Sequence, residues 1–349
     1  MEYMALYRKY RPARLSDLVG QQHVAKTLLN ALENHRVAHA YIFTGPRGTG
    51  KTSAALIMSR AVNCQSPTPE GEPCGQCEAC RRIARGASMD VLEIDAASNR
   101  GINEMRDLRD GVKYLPAQEK RKVYIIDEVH MLTTEAFNAL LKTLEEPPEH
   151  VMFMLATTEP HKVPTTILSR CHRFDFHRIG QQQLFEHLQK LVQLEGRTAD
   201  DAALRLIARR AEGGLRDAVS LLDQCLVASE GNLSQQTIAG VLGIVDERFV
   251  MAMAEAVAGH DGLRIIKGVE LLSAEGRDMR LFLQQLLEFV REQLLQNMSG
   301  QQTLLTRNQA LQMLRDLVDG DQRLRFSLTP RLTLELALLQ AAHVEQADN

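Results

Sequence analysis

A chain of 349 residues holds two or three domains rather than one, and 44% hydrophobic with 24% charged side chains is the balance of an ordinary soluble protein. A net charge of −3 excludes global attraction to nucleic acid, so any DNA contact has to use local basic patches, and the lack of Trp with 5% aromatics argues against base stacking. No apolar run approaches the roughly 20 residues that span a bilayer and the N-terminus has no signal-peptide core, so a cytoplasmic protein without a membrane partner is expected.

The chain opens with Leu6-Tyr7-Arg8-Lys9-Tyr10-Arg11-Pro12 and continues through Leu18-Val19-Gly20-Gln21. Basic residues and a Tyr pair ahead of a glycine-rich loop either frame a base and its phosphates, with Tyr7, Arg11, Pro12 and Val19 as candidates, or simply pack the N-terminus. Val24, Leu28, Leu29 and Leu32 then follow at helical spacing.

A short apolar strand over 41–44 leads into Gly45-Pro46-Arg47-Gly48-Thr49-Gly50-Lys51-Thr52, followed by Ser53 and a helix to about 62. This is G-x-x-x-x-G-K-T, and its order has a reason. Glycines let backbone N–H groups turn inward onto phosphate oxygens, and the helix behind adds its positive end. Lys51 can reach the β- and γ-phosphates of a bound triphosphate, and the Thr52 hydroxyl can ligate Mg²⁺. The bland alternative is a glycine-rich turn.

Four of the six cysteines fall close together, at Cys64, Cys74, Cys77 and Cys80, around a polar, Pro/Gly-rich stretch. In a chain expected to be cytoplasmic that spacing favours a metal over disulfides. Four thiolates suit structural Zn²⁺, closing an excursion that has no core of its own; an iron–sulfur cluster is the runner-up. Cys171 and Cys225 lack such spacing and are expected to pack.

Strands are predicted at 91–95, 123–127, 151–157 and 173–177, alternating with amphipathic segments. Such alternation gives a parallel sheet covered by helices, with ligands at the C-terminal strand ends. The third strand ends in Asp127-Glu128, where Asp127 would hold Mg²⁺ and Glu128 polarise an attacking water; solvated acids are the alternative. His130 either tunes Glu128 or caps the next helix, predicted over 135–146 and stopped by Pro147-Pro148. Thr157 and Thr158 end the fourth strand with hydroxyls able to meet a γ-phosphate or its water. Arg100, Arg106 and Arg109 near a helix start suit a DNA phosphate or a solvated face. Lys120-Arg121-Lys122 reads as a solvated edge, and Arg81, Arg82 and Arg85 form a further basic group.

Beyond about 179 the strand signal disappears. Amphipathic helices are predicted over 181–195, 201–212, 215–229 and 234–242, then near 248–258, 262–274, 279–298, 303–318 and 328–344. The expected domains are 1–178 (α/β, with the cysteine insertion at about 63–85), 179–243 and 244–349.

Together, Tyr7–Pro12, the Gly45–Thr52 loop, the four cysteines, Glu93-Ile94-Asp95-Ala96-Ala97-Ser98, Ile126–Leu132, Asn138–Pro148, Leu155–Thr158, Ser169-Arg170-Cys171 and Leu215-Arg216-Asp217-Ala218 closely resemble the tau/gamma ATPase subunits of the bacterial DNA polymerase III clamp loader, of the AAA+ family. The match is dense over 5–243 and mainly a helical pattern thereafter. The resemblance implies an AAA+ P-loop domain with a zinc-binding insertion, a small helical lid and an all-α collar. It would make Asp127-Glu128 the Walker B acids and Thr158, perhaps with Thr157, sensor 1. Arg170 would be the finger reaching a neighbouring subunit's ATP, and Arg216 sensor 2 from the lid. The intact loop separates the chain from the delta-prime subunits, which look non-hydrolysing. Implied partners are delta, delta-prime and further copies of itself in a five-subunit ring, the sliding clamp and primer–template DNA, as part of a DNA polymerase holoenzyme, a transferase. The chain is then a short form or a truncated one. The alternatives are another AAA+ motor, such as one for branch migration, or a non-hydrolysing scaffold; the complete set of Lys51, Thr52, Asp127, Glu128, Arg170 and Arg216 argues against the scaffold.

Overall fold

The computed structural model describes residues 3–99, 102–229 and 231–343, with the side chains of 102–104, 106 and 107 outside the description. They form two compact units that divide between Gln235 and Gln236.

The first unit runs α1 (Leu6–Lys9), a 3-10 turn (Leu15–Asp17), α2 (Gln22–Glu33), β1 (Ala40–Thr44), α3 (Lys51–Asn63), α4 (Glu78–Ala84), β2 (Val91–Asp95), α5 (Ile102–Gly111), β3 (Lys122–Asp127), α6 (Thr134–Glu145), β4 (Val151–Thr157), α7 (Thr165–Leu168) and β5 (His172–Asp175). The strands lie in the order β2-β3-β4-β1-β5, and every neighbouring pair is parallel. Successive side chains on a strand point to opposite faces, so a strand covered on both sides is apolar throughout. In β1, Ala40 and Ile42 pack with Phe137 and Leu140 of α6, whereas Tyr41 and Phe43 pack with Leu28 of α2 and Ile57 of α3. Phe153 and Leu155 of β4 join the first cluster, and Met152 and Met154 the second. The result is a three-layer sandwich that brings the C-terminal ends of β1, β3 and β4 to one rim.

Two expectations shift here. β5 ends at Asp175 rather than 177, although Phe176 N–H still donates to the Thr44 carbonyl at 2.7 Å. Lys120-Arg121-Lys122 is solvated only in part: Lys120 is exposed, whereas Arg121 and Lys122, where the inner strand β3 begins, are half-buried. The Lys120 and Lys122 ammonium groups donate to the Cys64 and Gly111 carbonyls at 2.6 and 3.0 Å, and Arg121 N–H to Asn63 Oδ1 at 2.8 Å.

Three helices complete this unit: α8 (Gln181–Leu194), α9 (Asp201–Arg210) and α10 (Leu215–Ala228), packed through Leu184, Leu188, Leu204, Ile207 and Leu222.

α11 (Gln235–Val241) starts at the division, inside the span expected for the lid. The second unit continues with α12 (Glu247–Ala258), α13 (Gly262–Ala274), α14 (Met279–Met298), α15 (Arg307–Leu324) and α16 (Pro330–Ala341), around Phe282, Leu286, Leu317, Leu334 and Leu338. Asp246, Asp261 and Asp278 cap α12, α13 and α14 by accepting backbone N–H bonds, which satisfies donors the first turn leaves free. A Thr306–Gln309 capping box starts α15 at 307 rather than 303, and Pro330 in the first turn starts α16 later than 328. Gly320 lets α15 and α16 approach: a Cβ there would lie 2.7 Å from Ala337 Cβ.

Candidate functional site

The loop between β1 and α3 has Gly45, Gly48 and Gly50 at φ of 138°, 74° and 105°. At Gly45 a side chain is excluded twice, because its Cβ would also fall 2.3 Å from the Phe176 carbonyl oxygen. Thr49 Oγ1 closes the turn by donating to the Pro46 carbonyl at 2.9 Å. Lys51 opens α3 and is buried, its ammonium donating to the Gly45 and Pro46 carbonyls at 2.8 Å each. Burial lowers its pKa, while Glu128 and Asp127 nearby act in the opposite direction. Arg47 is exposed, and Ser53 Oγ accepts from Arg11 Nε at 3.3 Å.

The acids stand beside this loop. Thr52 Oγ1 donates to Asp127 Oδ2 at 2.7 Å, joining the start of α3 to the end of β3. Glu128 has a left-handed backbone (φ 46°) and donates its N–H to Asp127 Oδ1 at 2.9 Å. A non-glycine residue held this way costs about 1–3 kcal/mol, a cost the surroundings must sustain. Glu128 Oε2 accepts from Thr158 Oγ1 at 2.8 Å and from Thr158 N–H at 3.2 Å. Thr157 is fully buried and meets His130 Nδ1 at 3.0 Å instead, while its carbonyl accepts the Gly45 N–H at 3.2 Å. His130 also lies 3.3 Å from Glu128 Oε2 and 3.1 Å from Glu159 Oε2. It is not a helix cap, since Thr133 holds that place on α6.

The third side of the site comes from α10. The N–H groups of Leu215 and Arg216 both donate to the Gly48 carbonyl, at 2.9 and 3.3 Å. The Arg216 guanidinium lies 5.0 Å from the centre of the Tyr7 ring, on which Arg8 also stacks at 5.8 Å. The N-terminal segment is thereby tied to this helical layer: Leu6 N–H donates to Asp223 at 3.1 Å, and Lys9 and Tyr10 donate to Glu195 at 2.7 and 2.6 Å. Pro12 and Val19 are half-buried. Of the predicted residues, Lys51, Thr52, Asp127, Glu128, Thr158 and the α10 N-terminus converge. Arg170 does not join them. Its guanidinium donates to Glu145, the last residue of α6, at 2.7 Å and to the Thr166 carbonyl in α7 at 2.8 Å. Arg100 lies outside the described residues, as does the Arg106 side chain, and Arg109 pairs with Asp110 at 3.5 Å.

The four clustered cysteines come together in space. The Sγ atoms of Cys64, Cys74, Cys77 and Cys80 all lie within 4.8 Å of one another, none in a disulfide. A tetrahedral Zn²⁺ with bonds near 2.3 Å asks for sulfurs about 3.8 Å apart, so the donors fit. Backbone N–H groups support the sulfurs: those of Cys77 and Gln76 reach Cys74 Sγ at 3.3 and 3.4 Å and hold its thiol down to about 6. Cys74 N–H reaches Cys64 Sγ at 3.3 Å. Burial pushes Cys171 and Cys225 up to about 12 and 11.

A family model described as DNA polymerase III, delta subunit, matches residues 20–180, and one described as the DNA polymerase III clamp loader subunit ATPase lid domain matches 183–231. The chain is 38% identical to the DNA polymerase III subunit gamma of Buchnera aphidicola over 83% of its own length and 80% of that protein. It belongs to the DNA polymerase III tau/gamma family. Similarity to the tau subunit of Bacillus subtilis is 43% over 100% of the chain and 65% of that protein, and to the tau subunit of Escherichia coli 44% over 82% and 44%. The chain therefore spans about half to two thirds of these longer relatives. Among solved structures, the Thermotoga maritima RuvB Holliday junction branch migration motor matches at TM-score 0.50 and 20% identity, over 77% of the chain and 86% of that one; it shares the fold. Among the described residues no helix is long and apolar enough to cross a membrane.

Several residues of this tau/gamma chain that shape the site carried no linear signal. Glu159 meets His130, Glu145 holds Arg170, and Glu72 is buried beside the cysteines. Their partners lie far off in sequence or belong to motifs read for other reasons.

Proposed function

We propose that this chain is the ATP-hydrolysing motor subunit of a bacterial clamp loader, which opens a sliding clamp and places it on primer–template DNA. The observation that carries the proposal is the convergence of Lys51, Thr52, Asp127, Glu128 and Thr158 on one rim, with α10 bonded to the same loop. The loop N–H groups and Lys51 would hold the β- and γ-phosphates. Thr52 Oγ1 and Asp127 Oδ2 are oxygen donors 2.7 Å apart, the chemistry Mg²⁺ selects, and the bound ion would neutralise phosphate charge. Glu128 would accept the proton of the attacking water, with Thr158 fixing the carboxylate. Tyr7, Arg11, Pro12 and Val19 would frame the base and sugar, and Arg216 would bring positive charge from the lid.

Arg170, bonded away from its own chain's loop, would serve a neighbouring subunit's ATP. That assigns residues 1–178 to the motor, 179–243 to the lid and 244–349 to a collar joining delta, delta-prime and further copies in a five-subunit ring in the cytoplasm. The four thiolates would hold structural Zn²⁺.

The test is ATPase activity of the chain with its partner subunits, measured with and without clamp and primed DNA. Strong stimulation by clamp plus primed DNA is expected. Stimulation by branched DNA alone would mark a branch-migration motor, and no turnover in any mixture a scaffold. Lys51→Ala serves as the blank, and tight nucleotide binding by that variant would refute the role given to the loop.

A further inference from the structure

Glu72 is a buried carboxylate, 5% exposed, that does not belong to the four-cysteine cluster. It lies in the insertion, two residues before Cys74. Both its oxygens are occupied at the N-terminal segment: Oε2 accepts the Leu15 N–H and Oε1 the Ser16 N–H, each at 2.9 Å. These are the first two residues of the 3-10 turn, so a full negative charge sits where free N–H groups gather. From the other side Arg60 of α3, the helix that Lys51 opens, donates to the Ala13 carbonyl at 2.8 Å.

The pinned segment reaches the first turn of α3 at one end and the phosphate loop at the other. Upstream, Arg11 Nε bonds to Ser53 Oγ at 3.3 Å; downstream, Leu18 Cδ2 would lie 3.4 Å from a Cβ on Gly50. Leu15 between them is fully buried. The stretch carrying Arg11, Pro12 and Val19 is thus held in the middle by one acid from the cysteine insertion and one base from the loop's own helix. Charge-assisted bonds to backbone are strong and directional, and losing one partner leaves buried N–H groups unsatisfied.

We infer that Glu72 is a positioning residue through which the cysteine insertion sets residues 11–19 against the phosphate loop. The insertion then governs affinity for the nucleoside part of the ligand without touching it. This rests on the nucleotide-binding reading above and adds a role for the insertion beyond holding a metal.

The test compares two probes on the full chain: a fluorescent adenosine diphosphate analogue, and inorganic tripolyphosphate, which engages the loop alone. Glu72→Gln keeps the shape but turns an amide N–H₂ against one backbone N–H. Adenosine nucleotide binding should weaken about 10-fold, or about 1.4 kcal/mol, with tripolyphosphate binding and zinc content as in the wild type. Because Glu72→Ala risks losing the turn altogether, the Gln variant is decisive. Unchanged nucleotide affinity in Glu72→Gln, or an equal loss for both probes, overturns the inference. A wild-type chain that binds neither probe overturns the nucleotide reading and the inference with it.

Discussion

Glu128 occupies a backbone conformation that a non-glycine residue adopts at a cost, and its carboxylate is held by Thr158 through two bonds. A residue strained and steered in this way is suited to one task that a neutral isostere cannot do. Glu128→Gln should bind ATP as well as the wild type yet turn it over at least ~100-fold more slowly, as loss of a general base predicts. Equilibrium binding and single-turnover rates separate the two effects, and an unchanged rate would remove Glu128 from the chemistry. At this scale the sequence was legible where chemistry is contiguous: Gly45–Thr52 and Asp127-Glu128 are each a run of neighbours. His130 shows the limit. Sequence leaves it between a helix cap and a tuner of Glu128, whereas in the fold Thr133 caps α6 and Glu159 faces the imidazole from another strand end. Three consecutive cations look solvated, and Lys120 is, but Arg121 and Lys122 are half-buried because β3 is an inner strand.

The elements followed from periodicity and caps. β2 and β4 match their expected bounds; for β4 an unbroken apolar run, buried throughout, leaves little choice. α15 and α16 start later than leucine spacing alone suggests, since Thr306 and Pro330 define the starts chemically. Close packing of α15 on α16 had no such marker, for a helical glycine reads as a weakness until Ala337 is found against it. Gly320→Val should destabilise the second unit by about 1–3 kcal/mol, the usual cost of overpacking. Denaturant midpoints would report this, with nucleotide binding unaffected; a neutral effect would mean that the helices can part freely. The cysteine insertion gives a second expectation at this scale. Purified protein should contain about one zinc per chain, because four thiolates fill a tetrahedral shell. Elemental analysis returning iron, or no metal, would refute the zinc assignment.

For the whole molecule, membership of the tau/gamma family was legible from motif order, which survives substitutions between motifs. What an arginine does at a distance was not. Arg170 is engaged with Glu145 and Thr166 rather than with its own chain's loop. In rings that mix subunits, Arg170→Ala should leave ATP binding intact and abolish hydrolysis at the adjoining site, as removal of a trans-acting arginine does. A normal ATPase rate in the assembled ring would sink the trans role.

One contact carries further than its size suggests. Leu215 and Arg216 at the head of α10 donate to the Gly48 carbonyl, inside the turn proposed to hold phosphates. Helix and loop are therefore not two parts that meet on occasion but one mechanical linkage, and linked equilibria are reciprocal. Whatever factor by which a bound nucleotide shifts the attitude of α8–α10, a partner that fixes that attitude must change nucleotide affinity by the same factor. A neighbour gripping those helices would then work as a thermodynamic clutch on the site, able to load or release nucleotide without ever reaching it.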